Sequence, residues 1–113
     1  MDQQKVFLRL REIAVEFPDG SVAKFGHLQP VRKGWVVRMK DQTDFEGEDG
    51  MLTAINIASK TTGTISGWTD GAEIEMWDVV KVFTSEEKAT KAGRENGQMS
   101  IYQIETGRLK WLD

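Results

Sequence analysis

The chain has 113 residues, a length that fits one domain with a single hydrophobic core. Apolar residues make up 39% of it and charged residues 29%, which is typical of a globular protein and excludes a disordered or fibrous chain. It contains no cysteine, so a disulfide framework, a thiolate metal site and a cysteine nucleophile are excluded. Its net charge of −3 disfavours binding to phosphate backbones.

The N-terminus has no targeting pattern. Met1-Asp2-Gln3-Gln4-Lys5 lacks the basic and then apolar stretch of a signal peptide. The longest apolar runs are far shorter than the roughly 20 residues that span a bilayer. We therefore expect a cytoplasmic protein that does not associate with a membrane.

Residues 1–26 have the pattern of a β-hairpin. Apolar and polar residues alternate from Val6 to Phe17, and the phase slips by one residue near Arg11-Glu12, which indicates a bulge or break. Pro18-Asp19-Gly20 has turn chemistry, and residues 22–25 read as the returning strand. Residues 26–33 form a connection to the rest of the domain.

Residues 34–113 contain two strand-helix-strand patterns. In the first, residues 34–39 and 64–68 read as strands around an acidic loop at 41–49 and a helix near 49–62 that ends before Gly63. Five apolar residues of this helix fall at helical spacing: Met51, Leu52, Ala54, Ile55 and Ala58.

In the second pattern, residues 73–83 alternate strongly and read as a strand. Thr84-Ser85-Glu86-Glu87 has the form of a capping box and starts a helix over 85–96. Ala89, Ala92 and Gly93 give that helix a small face for close docking. Residues 99–104 and 109–112 then read as strands joined by a turn at 105–107.

These elements predict one α+β domain. An antiparallel or mixed sheet would carry two helices on one face, as a split βαβ or ferredoxin-like core, with the N-terminal hairpin added at an edge.

Catalytic chemistry has little support. The chain offers one histidine, His27, and one tyrosine, and no Gly-x-Ser-x-Gly motif positions a serine for attack. No glycine-rich phosphate loop is present. We therefore predict that the protein is not an enzyme and needs no cofactor.

The acidic segment Asp44-x-Glu46-x-Glu48-Asp49-Gly50 resembles the start of a calcium loop. Its glycine comes one residue late, and Ile55 stands where a bidentate glutamate should be. A solvated loop whose anions favour the next helix N-terminus explains the segment better, and no metal site is predicted.

Trp77 is the candidate binding residue. If Ile74, Met76, Val80 and Val82 face the core, Trp77 lies on the opposite face of its strand. Exposed aromatic residues ringed by charge mark interfaces. The predicted partner-binding residues are therefore four on that face: Glu75, Trp77, Val79 and Lys81.

A nucleic-acid interface is the alternative. Residues 32–39 share a basic residue, a glycine and one aromatic residue with the RNA-recognition signature, although Val37 and Met39 replace later aromatics. The residues of this alternative site are Lys24, Arg32, Lys33, Trp35, Arg38 and Lys40.

The preferred hypothesis is a non-catalytic, cytoplasmic protein-interaction module: an adaptor, inhibitor or accessory protein of bacterial or mobile-element type. Its partner is another protein, and homodimerisation is an open alternative.

Overall fold

The computed structural model describes residues 8, 21–24, 29–69 and 75–112. Two helices lie wholly within the described residues, α1 (Gly47–Lys60) and α2 (Glu86–Glu95). The strands of the described part are β1 (Ser21–Lys24), β2 (Gln29–Pro30), β3 (Trp35–Arg38), β4 (Phe45–Glu46), β5 (Thr64–Thr69), β6 (Glu75–Phe83), β7 (Ser100–Gln103) and β8 (Arg108–Trp111). In the described residues, no helix is long and apolar enough to cross a membrane.

The strands form one sheet in the order β2-β1-β5-β6-β3-β7-β8, and β4 pairs with β6 beyond the end of β3. Every strand pair of the described residues is antiparallel. The two strand-helix-strand units interleave, because β6 lies between β3 and β5 while β3 lies between β6 and β7. The α+β prediction is confirmed. The closer ferredoxin-like assignment stays a prediction.

Both helices pack on the same face of the sheet. Under α1 lies a core cluster that includes Ile65, Trp77 and Val79, and under α2 lies one that includes Trp35 and Val37. Met39 packs against both clusters, so they belong to one layer. The opposite face has its own buried pair, Val36 and Val80. The sheet centre is therefore apolar on both sides.

Helix α1 begins earlier than the sequence predicts. Residues 45–46 form β4, which pairs with β6, and the helix starts at Gly47. The prediction of a loop over 41–49 is therefore wrong for residues 45–49. The buried carboxylate of Asp78 accepts a hydrogen bond from the backbone N–H of Asp44 at 2.7 Å and holds this segment against β6. At the other end Gly63 has a φ of +73° and donates its N–H to Ala58 O at 2.8 Å, as predicted for a C-terminal glycine.

Helix α2 follows the prediction closely. Its N-cap is Ser85, one residue after the cap that the capping-box pattern implies. Ser85 Oγ accepts a hydrogen bond from the backbone N–H of Lys88 at 3.2 Å. The small face docks on the sheet: Ala89 is fully buried, and a Cβ added at Gly93 would lie 2.9 Å from Ile101 Cγ2.

The predicted hairpin at 1–26 lies largely outside the described residues. Leu8, expected in a strand, is assigned to a helix. Strand β1 pairs with β5 on one side and with β2 on the other, and β2 lies in what the sequence predicts to be a plain connection.

Candidate functional site

Trp77, the central residue of the predicted binding surface, is buried. Its side chain is 2% exposed and belongs to the cluster beneath α1, together with the fully buried Val79. The prediction that Trp77 faces outwards is therefore wrong. The physical reason is that β6 is a central strand with apolar residues on both faces, so its alternation does not identify which face the helices cover.

The other two residues of that surface lie at the two ends of the same strand face. Glu75 is half-buried at the start of β6. Lys81 is exposed, and its Nζ lies 5.2 Å from the ring centroid of Phe83. The four residues share a face, as predicted, but it is the helix-bearing face, and α1 covers its middle.

The alternative basic site is divided between the two faces of the sheet. Trp35 is buried beneath α2 and has no exposed ring on which a base could stack. Arg38 lies on β3, three residues further on, so its side chain points to the opposite face. Among the other basic residues, Lys24 lies on β1, where the structure describes only the backbone. Arg32, Lys33 and Lys40 are exposed in the segments that flank β3. The structure does not bring these residues onto one surface.

Among the tryptophans whose side chains the structure describes, Trp111, on β8, is exposed. It is 67% exposed, and Leu109 on the same strand is 51% exposed. Leu109 pairs across the strands with Tyr102, which packs in the Val36 and Val80 cluster, so both apolar side chains lie on the face away from the helices. The sequence signal is present, because Arg108 and Lys110 alternate with Leu109 and Trp111, but it reads equally well as an ordinary half-buried strand.

β8 is an edge strand: in the described part of the chain it pairs on one side only, with β7. An edge strand presents a row of backbone donors and acceptors to any extended chain that approaches it. The exposed apolar pair therefore lies beside backbone groups that have no strand partner among the described residues.

The strand is held firmly in place. Lys110 projects to the helix side, where its Nζ donates to Thr90 Oγ1 at 3.0 Å and lies 3.4 Å from Glu86 Oε1. At the two ends of β8, Gly107 N–H donates to Gln103 O at 2.9 Å and Leu112 N–H donates to Met99 O at 2.8 Å. The edge is therefore preorganised for pairing.

The acidic residues of the segment 41–49 do not converge. Asp44 precedes β4, Glu46 lies in β4, and Glu48 lies in the first turn of α1. Among the residues that the structure describes, no group of three or more His, Asp or Glu side chains could hold a metal ion.

Comparison with protein-family models, with curated proteins and with solved structures finds no match to this chain.

Proposed function

We propose that the protein is a non-catalytic interaction module that binds an extended segment of another protein along the outer edge of β8. The observation that carries the proposal is the exposure of Trp111 and Leu109 on an edge strand. The protein then acts as an adaptor, inhibitor or accessory protein. A cytoplasmic location fits a chain without cysteine.

Strand addition explains both features of β8 together. The backbone of an added strand would form main-chain hydrogen bonds with the edge, which supply affinity for any extended peptide. Side chains on alternate positions of that peptide would contact Leu109 and Trp111, which supply selectivity. Tryptophan is among the residues that most often dominate binding energy at protein interfaces.

The charges on β8 favour a different chain over a second copy. Twofold antiparallel pairing of two β8 strands keeps each face of the sheet continuous, so Arg108 and Lys110 would lie beside the same residues of the other copy. Like charges directly opposite each other on a sheet are destabilising. Lys110 already pairs with Glu86, so the partner strand that fits best carries an acidic residue opposite Arg108 and apolar residues opposite Leu109 and Trp111.

The proposal can be tested by selecting binders from a phage-displayed library of unstructured peptides. We expect enriched sequences to combine an acidic residue with apolar residues at alternate positions, and to lose binding at least tenfold when Trp111 and Leu109 are both changed to Ser. Met99→Ser is the matched control, because Met99 is 70% exposed but lies outside β8. Enrichment that survives the double change, or no enrichment at all, would overturn the proposal.

Strand addition itself has a separate signature in the selected peptide. In an extended peptide, alternate backbone amides point towards and away from the strand that it pairs with. N-methylation of one alternate set should abolish binding, and N-methylation of the other set should leave it intact. A peptide that tolerates both sets equally binds in another way.

A further inference from the structure

A groove of about 390 Å³ lies beside α2 on the helix-bearing face, away from β8. Lys81 and Phe83 of β6 form its floor, and Lys88, Lys91 and Glu95 of α2 line one side. We infer that this groove is a second binding site, which takes a short acidic peptide segment carrying an apolar residue.

The position of Lys81 is the first observation. Lys81 pairs across the strands with the fully buried Val37, and its neighbours on the same face of β6 are Val79 and Phe83. An apolar residue at this point would extend the core, since burial of apolar surface is the main favourable term in folding. Instead an exposed ammonium group stands 5.2 Å from the Phe83 ring and leaves the space beside α2 open.

The charge of the groove is the second observation. It holds three ammonium groups, on Lys81, Lys88 and Lys91, and one carboxylate, on Glu95. Lys91 and Glu95 form a wide pair, 3.9 Å apart, with 81% and 63% of their side chains exposed. Among the described residues, Lys81 and Lys88 have no carboxylate partner. The groove is therefore locally positive in a chain whose net charge is −3.

The shape and chemistry of the lining favour a peptide over a nucleic acid. Carboxylates of a peptide can approach the three ammonium groups, while an aliphatic side chain contacts Met39, Ala92 and the open part of Phe83. A single-stranded nucleic acid needs aromatic faces for its bases. The one aromatic ring here, Phe83, lies beneath Lys81.

The test is a titration of the ¹⁵N-labelled protein with the octapeptide acetyl-Glu-Glu-Leu-Glu-Glu-Leu-Glu-Glu-amide, followed by amide chemical shifts. We expect the largest shifts at Lys81, Phe83, Lys88 and Ala92, and no response to the same peptide with Gln in place of Glu. Largest shifts elsewhere in the protein would overturn the inference.

Variants make the test specific. Lys81→Met should keep the circular dichroism spectrum and should not lower the urea midpoint. It should weaken binding about fivefold, a factor at the upper end of the range for one exposed ion pair. Lys60→Met removes the same charge from the end of α1, outside the groove, and should change binding less than twofold. Equal losses in the two variants would reduce the effect to general charge attraction and contradict the inference.

Two further measurements distinguish peptide binding in the groove from nucleic-acid binding and from binding at β8. A ten-nucleotide oligodeoxythymidylate that binds the groove more tightly than the peptide would overturn the choice of a peptide ligand. Trp111→Ser should leave peptide binding to the groove unchanged, since Trp111 lies on the other face. Loss of binding in Trp111→Ser would place the octapeptide at β8 and contradict a second site.

Discussion

The ring of Trp77 occupies the space where Gly67, its cross-strand partner, has no side chain. A Cβ built at Gly67 would lie 2.8 Å from Trp77 Cε3 and closer still to Cζ3, nearer than real Cβ atoms approach a neighbour. The missing side chain on β5 therefore gives Trp77 its place beneath α1. This pairing makes Trp77 a core residue rather than an interface residue.

Gly67→Ala is expected to destabilise the protein by about 1 to 3 kcal/mol, because it overpacks the contact with a fully buried ring. Urea unfolding followed by circular dichroism measures the loss. In a double-mutant cycle with Trp77→Phe, whose ring is smaller, most of the penalty of Gly67→Ala should disappear. Equal penalties in the two backgrounds would show that the two residues are not coupled.

Trp77 and Trp111 should respond in opposite ways to the same substitution. Trp77→Ala removes a buried ring and should lower the free energy of unfolding by about 3 to 5 kcal/mol. Trp111→Ala removes an exposed ring and should change it by no more than about 0.5 kcal/mol. Urea denaturation of both variants measures these free energies. A Trp77→Ala protein as stable as the parent would contradict the burial of Trp77 and make it a candidate surface residue.

Gly50→Ala should destabilise the protein although alanine is the better helix former. In α1 a Cβ at Gly50 would lie 2.8 Å from Phe45 O and closer still to the carbonyl carbon, and these backbone atoms of β4 cannot easily move aside. We expect the overpacking cost of about 1 to 3 kcal/mol to exceed the propensity gain of about 1 kcal/mol. Thermal unfolding should therefore show a lower midpoint.

Thr53→Ala is the control for the helix, because Thr53 is exposed on α1 and its change leaves the contact with β4 intact. It should leave the midpoint unchanged or raise it. A Gly50→Ala protein that is more stable than the parent would contradict the close docking of α1 on β4.

Asp78 should prove important for the segment that joins β3 to α1. Asp78→Ala removes the acceptor of the partly buried hydrogen bond from the Asp44 N–H, and loss of a hydrogen bond to a charged group costs about 1.5 to 3 kcal/mol. Asp78→Asn keeps a carbonyl oxygen in place and should cost less. Amide hydrogen exchange at Asp44 provides the direct check: its protection should fall in the Ala variant and persist in the Asn variant.

Most elements of residues 34–112 could be predicted from local signals. Gly63 and Gly107 both have positive φ and mark a helix end and a hairpin turn, and Ser85 caps α2. β4 could not be predicted, because a two-residue strand has no measurable period. The segment before β4 also bonds to β6 through Asp44 and Asp78, which are 34 residues apart in the sequence.

The candidate site is less predictable than the fold. Alternation assigns residues to two faces of a strand but does not say which face the helices cover, so it puts Trp77 on the wrong side. The proposed role of β8 depends on the strand order, which puts β8 at the edge of the sheet in the described part of the chain. Nothing in Arg108-Leu109-Lys110-Trp111 itself distinguishes an edge strand from an inner one.

In the proposed complex, a partner strand adds to the edge of β8 that is unpaired among the described residues. Amide hydrogen exchange of β8, with and without a peptide obtained in the phage selection, tests this strand addition most directly. We expect the β8 amides that point away from β7 to exchange freely in the protein alone and to become protected when the peptide binds. Binding that protects amides elsewhere and leaves β8 exchange unchanged would contradict it.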